Sequence, residues 1–236
     1  MRAARKQKKA ARRGSTGKAR TPQRPQVTPV RERGLVVSIP RLFLYYRGFE
    51  DALGDGQAVL TSRELAARVG RGISSTQIRK DLSSLGTFGR RGRGYDVATM
   101  VKKLTRILGL DRDWRIAIVG FGNLGRALAT FLELREEKFH IAAIFDSDPE
   151  LVGTQWHNLT IRHIDELESA LPALRCSIGI ITVPAQAAQA VAEKLVAAGT
   201  GALLNFAPVR LSLNSGVTIR SIDLASELSI LTHHLA

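Results

Sequence analysis

A single cysteine, Cys176, stands in the 236 residues, so neither an intramolecular disulfide framework nor a cysteine-built zinc site can be assembled. That scarcity fits a reducing compartment. No apolar run approaches the roughly 18 residues of a membrane span. A basic N-terminus could open a signal peptide, but Pro22, Pro25 and Pro29 stand where its apolar segment would follow. The expectation is a soluble, cytoplasmic protein with no metal and no membrane partner. Acidic side chains are also short: 21 Asp and Glu face 35 Lys and Arg, a net charge of +14. What is present in quantity is apolar surface. Hydrophobic residues make up 44% and charged ones 24%, enough for a real core and against full-length disorder. The length allows one or two domains.

The positive charge is unevenly placed. Residues 1–33 carry 12 basic and 1 acidic side chain, a net +11; residues 34–94 carry 10 and 5, a net +5; residues 95–236 carry 13 and 15, a net −2. A polyanion should therefore meet the first part of the chain. Residues 1–33, rich in Arg, Lys, Ala, Gln and Pro, cannot bury enough surface to offset their ordering entropy and read as a disordered basic arm. Such an arm either tracks phosphates or is a solvated tail with weak non-specific affinity.

Order is expected from about Val37. Ser38 can cap a helix with Pro40 in its first turn, and Ile39, Leu42, Phe43, Tyr46 and Phe49 recur at helical spacing. Thr61-Ser62-Arg63-Glu64 fits a capping box, and Ser74-Ser75-Thr76-Gln77 fits a second. Gly70 and Gly86 are placed to end the two short helices that follow. Such a pair reads as helix-turn-helix. In its second helix Ile78, Leu82 and Leu85 share a core face, which leaves Ser75, Gln77, Arg79 and Lys80 near the end that reaches base edges. Residues 88–95 then place Arg90, Arg91 and Arg93 among glycines, as in a β-hairpin wing offering guanidinium groups to phosphates or a minor groove. Taken singly, each piece could be an ordinary helix pair or a solvated turn; together, beside a +11 arm, they favour DNA.

Val97, Val101, Leu104 and Leu108 form one stripe, a helix that could couple two halves. From Arg115 the pattern becomes alternating strand and helix. Strand runs at 115–119, 141–145, 178–183, 202–206 and 217–222 predict a mostly parallel sheet covered by helices on both faces. The first run leads into Gly120-Phe121-Gly122-Asn123-Leu124-Gly125 and then a helix, the context that a dinucleotide fingerprint requires. Gly120 allows the turn, Gly122 lets backbone approach a pyrophosphate, and Gly125 lets helix and strand pack closely. Asp146 ends the second strand run 21 residues after Gly125, where a carboxylate accepts from ribose hydroxyls and repels a 2′-phosphate. NAD(H) is favoured over NADP(H), with Asp148 a near alternative. A core of this kind that binds coenzyme A, or nothing, remains open.

A dehydrogenase also needs a substrate domain and a general acid or base. Only 14 residues follow position 222, and His140, His157 and His163, at a strand entry and in loops, have no paired carboxylate motif. The reading is non-enzymatic; a small NAD-dependent oxidoreductase with a basic appendage is the alternative. Asp223 can cap a last helix bearing Leu224, Leu228, Leu231 and Leu235, which either folds back or inserts into a partner subunit.

Several of these runs resemble the Rex family of redox-sensing transcriptional repressors. They are Gln77-Ile78-Arg79-Lys80-Asp81-Leu82-Ser83, residues 88–95, residues 120–125, Phe145-Asp146-Ser147-Asp148-Pro149, Thr182-Val183-Pro184, Asn205-Phe206-Ala207-Pro208 and Ile222-Asp223-Leu224. The resemblance covers about 36–235 and leaves the arm outside. It implies an α/β chain with an N-terminal winged helix-turn-helix, a Rossmann-like NAD(H) domain and a C-terminal helix exchanged between the subunits of a homodimer. Rising NADH relative to NAD⁺ would release such a repressor from double-stranded operator DNA; a constitutive DNA-binding protein with a vestigial nucleotide fold is the other alternative. The domains are expected at 34–95, 96–112 (linker helix), 113–222 and 223–236. Arg79 and Lys80 would touch DNA and Asp146 the adenosine ribose. Thr182 and Pro184 with Asn205 and Phe206 would line the nicotinamide side, and Asp223 would sit at the subunit interface with Arg47 as its ion-pair partner in one state. Two departures stand out: Phe131 where many members have Tyr, and Trp156-His157 in place of small residues.

Overall fold

The computed structural model describes residues 37–70, 72–86, 89–90, 94–134, 138–213 and 216–235. The arm, Arg91 and Arg93 lie outside the described residues. The chain runs α1 (Ile39–Gly54), β1 (Val59–Leu60), α2 (Ser62–Val69), α3 (Ser75–Ser84), β2 (Gly89–Arg90), β3 (Gly94–Asp96), α4 (Val97–Ile107). Next come β4 (Trp114–Val119), α5 (Asn123–Glu133), β5 (Phe139–Asp146), β6 (Gln155–Trp156), β7 (Leu159–His163), α6 (Leu167–Leu174) and β8 (Ile178–Ile181). The chain then continues through α7 (Ala185–Ala197), β9 (Ala202–Asn205), β10 (Thr218–Ser221) and α8 (Leu224–Leu235).

In the first unit the strands form a small sheet in the order β1-β3-β2, all antiparallel, beside the α2–α3 pair. Its helices start where the local chemistry directs. Thr61 and Glu64 form a reciprocal capping box at α2, and Asp96 accepts from Thr99 N–H at 2.8 Å to start α4. Ser38 is the N-cap of α1 but makes no side-chain cap bond; Pro40 alone sets that start. Ser74 caps α3 by accepting from Gln77 N–H at 3.1 Å, yet the box is not reciprocal. The Gln77 side chain turns instead to Asp81, because a buried carboxylate is a stronger acceptor than an exposed cap is a donor.

The core of this unit gathers Leu42, Tyr45, Phe49, Leu65, Ile78 and Leu82. Tyr45 takes a core place that the sequence spacing assigned to Phe43, which is 40% exposed along with Ile39 at 39%. Val97, Met100 and Leu104 of α4 are buried in the same cluster, so this helix, expected as a linker, is built into the N-terminal unit. The connection is the turn after it, clamped where Trp114 Nε1 donates to Gly109 O at 2.8 Å.

Among the described residues the second unit has seven strands in the order β10-β9-β8-β4-β5-β7-β6, parallel except for the β6–β7 pair. Alternation along β4 builds both faces: Ala117 and Val119 pack with α6 and α7, while Ile116 and Ile118 pack toward α5. The β6–β7 hairpin was not foreseen. It puts His163 at the end of a strand rather than in a loop, and it seats Trp156 edge-on to Phe121 with ring centroids 5.7 Å apart. The chain leaves central β4 toward β5 on one side and returns to β8 on the other. A crevice therefore opens between the C-terminal ends of β4 and β8.

Candidate functional site

The crevice is a cavity of about 630 Å³ bordered by the turn after β4, the end of β5, the loop after β8 and the loop after β9. Gly120 turns with φ +93°, and a side chain there would meet the Thr182 backbone at 2.8 Å. A Cβ on Gly125 would stand 2.0 Å from Gly120 O, so only hydrogen permits the first turn of α5 to lie on the strand end. At Gly122 nothing lies within 4 Å, and as the N-cap of α5 it supplies no capping side chain. The first N–H groups of α5 are thus left for a ligand or water.

Asp146 closes one wall. Its Oδ2 accepts from Phe121 N–H and its Oδ1 from Ser147 and Asp148 N–H at 2.7 and 2.9 Å. A carboxylate has about four acceptor sites, so a ribose hydroxyl can still be taken while the group stays fixed. Asp148 faces the same cavity and adds a second negative charge against a 2′-phosphate. Leu124, Val183, Pro184 and Phe206 supply apolar wall. An uncapped helix start, an open glycine and a fixed carboxylate at a switch point suit a dinucleotide with an unphosphorylated ribose.

Of the other predicted residues, Phe121 and Asn205 stand behind this wall, while Thr182 lines the cavity itself. Phe121 is fully buried, with the Arg126 guanidinium 5.2 Å from its ring, and Asn123 is exposed at the start of α5. The Thr182 hydroxyl lies 2.6 Å from Gly120 O and 3.0 Å from Val119 O; its one proton is spent holding the glycine turn. Asn205 is buried: its amide donates to Ala207 O, Val209 O and Ser221 Oγ and accepts from Ala207 N–H. It shapes the turn that brings Phe206 to the cavity. Cys176 is buried, and desolvation pushes its thiol up to about 11, which leaves it inert. His140 and His157 sit 3.2 Å from Asp113 and Glu133 at the surface.

On α3, Lys80 is exposed and Ser75 half-buried. Arg79 is exposed too, its guanidinium donating to Ser62 Oγ and Thr76 Oγ1 at 2.9 Å. Arg90 lies on β2, paired with Gly94 in the hairpin. Gln77 is tied to Asp81, which sequence reasoning missed. Asp81 is 1% exposed and is reached from α1 by Arg41 Nε at 2.9 Å and by the Tyr45 hydroxyl at 2.6 Å. Burial, reinforced by this carboxylate, pushes the Tyr45 phenol well above its usual range. The signal was available: Asp81 follows Ile78 by three positions and so shares the core stripe, where a carboxylate requires donors.

Asp223 caps α8, accepting from Ala225 and Ser226 N–H and from the Ser226 hydroxyl, which holds its carboxyl below the usual carboxylate range. Arg47 lies over Phe43 with 5.5 Å to the ring centroid, and among the described residues no ion pair joins it to Asp223. Along α8, Leu224, Leu228, Ile230 and Leu231 are all more than half exposed. Phe131 is 52% exposed.

A winged helix-turn-helix joined to a dinucleotide crevice defines a class: DNA-binding regulators that sense a nucleotide. Comparison with known proteins narrows it. Residues 37–83 match the family described as putative DNA-binding protein N-terminus, and residues 111–209 the one described as CoA binding domain. The redox-sensing transcriptional repressor Rex of Streptomyces griseus is 43% identical over 205 residues, 86% of this chain and 80% of its own length. That of Desulfitobacterium hafniense is 42% identical over 84% of this chain and 93% of its own. Among solved structures, RSP in complex with β-NAD⁺ and operator DNA superposes with a TM-score of 0.80 at 34% identity, covering 85% of this chain and 93% of that one. RSP in complex with β-NADH gives 0.74 at 32% identity, covering 85% and 94%. The chain belongs to the Rex family of redox-sensing transcriptional repressors.

Proposed function

We propose that this protein binds double-stranded operator DNA as a homodimer and is released when NADH rises relative to NAD⁺. The observation that carries the reading is one chain holding both halves: a capped recognition helix with exposed Arg79 and Lys80, and a crevice whose open Gly122 and fixed Asp146 suit an unphosphorylated ribose. The relative solved with NAD⁺ and operator DNA, and the one solved with NADH, support the same assignment of ligands. In this reading residues 34–95 hold the operator, 96–112 join the halves, 113–222 hold the cofactor and 223–236 pair the subunits.

The roles divide by geometry. Gly120, Gly122 and Gly125 shape the pyrophosphate turn, with Asn123 and Leu124 opening the helix beside it, and Asp146 takes the ribose. Pro184 and Phe206 face the nicotinamide; Thr182, Asn205 and Phe121 hold those elements in place. Arg79, Lys80, Ser75, Gln77 and the wing arginines Arg90, Arg91 and Arg93 meet DNA. Asp223 and Arg47 meet across the dimer in one state. The crevice reads as a sensor because Asp146 and Thr182, two of its few polar side chains, are spent on backbone partners rather than poised for proton transfer. The nicotinamide supplies the signal: its oxidised and reduced forms differ by one positive charge and ring planarity.

A cofactor can release DNA only as far as it binds the released dimer better, at about 1.4 kcal/mol per tenfold. Operator binding titrated with NADH, NAD⁺ and NADPH tests the reading: NADH should release at the lowest concentration and NADPH only far above it. Equal responses to NADH and NAD⁺ would remove the redox reading and leave the repressor intact. For the contacts, Arg79→Ala is expected to weaken operator binding roughly tenfold while changing binding to scrambled DNA little. Removing residues 1–33 should lower both together and flatten the salt slope, about −0.9 per phosphate contact. A slope that stays unchanged makes the arm a bystander.

A further inference from the structure

Gln77 and Asp81 stand one turn apart on α3, and their bond has a direction. An ionised carboxylate only accepts hydrogen bonds, so the Gln77 amide must turn its nitrogen toward it, and Nε2 lies 2.6 Å from Asp81 Oδ1. The carboxylate cannot swing away to suit the glutamine. Arg41 Nε and the Tyr45 hydroxyl, both from α1, hold its other oxygen at 2.9 and 2.6 Å, and the side chain is 1% exposed. An amide held by the N–H that lies anti to Oε1 presents its second N–H and Oε1 together on the opposite edge. That donor–acceptor pair matches N7 and N6 of adenine in the major groove. Gln77 is only half-buried and lies in the first turn of α3, three residues after the N-cap Ser74. This is the part of a recognition helix that reaches base edges.

We propose that Asp81 is a positioning residue for sequence readout, fixing the Gln77 amide through their bond in the one orientation that recognises an adenine edge. The proposal rests on the reading that α3 enters operator DNA. An untethered glutamine exchanges its oxygen and nitrogen by rotating its last torsion, and offers the wrong edge as readily as the right one. Asp81 removes that freedom before DNA arrives, and α1 removes it from Asp81. The buried cluster thus links the packing of α1 to the base preference of α3.

The test uses the full chain and a duplex that the unaltered protein selects from random sequence, set against a scrambled duplex of the same composition. Asp81→Asn keeps the volume but gives position 81 both a donor and an acceptor, so the Gln77 amide can face either way. Gln77→Met keeps the length, removes the reading group and sits on a half-exposed surface that tolerates it. Gln77→Met is expected to lower the preference for the selected duplex roughly tenfold and Asp81→Asn about twofold, because half of the Gln77 amides then still face the right way, both with NADH affinity unchanged. The double variant should lose no more than Gln77→Met alone, since Asp81 acts through Gln77. Replacing one particular A·T pair of the half-site should cost the unaltered chain affinity and cost Gln77→Met nothing.

Retained preference in Gln77→Met overturns the proposal even if Asp81→Asn fails to fold. So do losses that multiply in the double variant, or a loss by Asp81→Asn that is equal on both duplexes. An unaltered chain that selects no sequence overturns the operator reading and this proposal with it. One that selects a sequence, with variants that keep its preference, overturns this proposal alone.

Discussion

Gly125→Ala is expected to raise the NADH concentration that releases the operator at least tenfold while leaving operator binding by the cofactor-free protein in place. The added Cβ would stand 2.0 Å from Gly120 O, well inside any contact distance. Neither side can give way. Gly120 N–H donates to Phe145 O at 2.8 Å, and Gly120 O lies 2.6 Å from the Thr182 hydroxyl. Gly120 is also boxed in from behind, where the Thr182 backbone leaves no room at its own Cβ position. The methyl must therefore lift the start of α5 off the end of β4, at a cost of about 1–3 kcal/mol in strain. That displacement carries away the N–H groups meant for the pyrophosphate, so NADH affinity should fall at least tenfold beyond any loss of stability. The buried core of the winged-helix unit shares no residue with the clusters around β4, which is why DNA binding should survive. NADH titration by fluorescence, operator binding and a thermal transition on the same preparation check this. Wild-type NADH affinity in the variant would remove the glycine turn from the cofactor site.

The second large effect concerns α8. Leu228 and Leu231 are 63% and 59% exposed within one chain, side by side with Leu224 and Ile230 on a helix whose start is firmly capped. A capped helix that keeps four large apolar side chains in water is unusual unless it is an interface. On the proposed pairing of subunits through α8, replacing both leucines by glutamate, Leu228→Glu with Leu231→Glu, is expected to convert the dimer to monomer. Burying a leucine contributes roughly 1.5–3 kcal/mol, and a symmetric interface loses four of them. The monomer engages a single half-site, so operator affinity should drop by about 10²–10⁴, the advantage of linking two binding units. Sedimentation analysis and operator titration measure the two effects, and an unchanged far-UV spectrum shows that the chain still folds. A variant that remains dimeric would place the subunit interface elsewhere.

How far these features were legible follows their range along the chain. The capping box of Thr61 and Glu64, the Asp223 cap and the glycine turn after β4 all depend on partners two to five residues away, and each is visible as a spacing. So was the run of alternating strands and helices, because apolar periodicity is set by which face a strand or helix buries. The two-residue strand β6 carries no period to detect, and its Trp156 could only be placed once Phe121 was seen beneath it. Gln77 fits a capping box by spacing, but its side chain goes to Asp81, and Asp81 is held by residues 36 and 40 positions earlier. Thr182 lines the cavity, but its hydroxyl proton goes to carbonyls 62 and 63 positions away.

The sequence by itself determined where charge resides, which of the longer periodic segments become helix or strand, and that a dinucleotide turn follows the first long strand. Those properties arise from local spacing and composition, which any chain carries before it folds. The tertiary structure decided which polar side chains remain free for ligand or DNA. Inside a folded chain each donor and acceptor goes to the partner that packing brings near, and that choice among distant residues is written in the three-dimensional arrangement of α1 against α3 and β4 against β8.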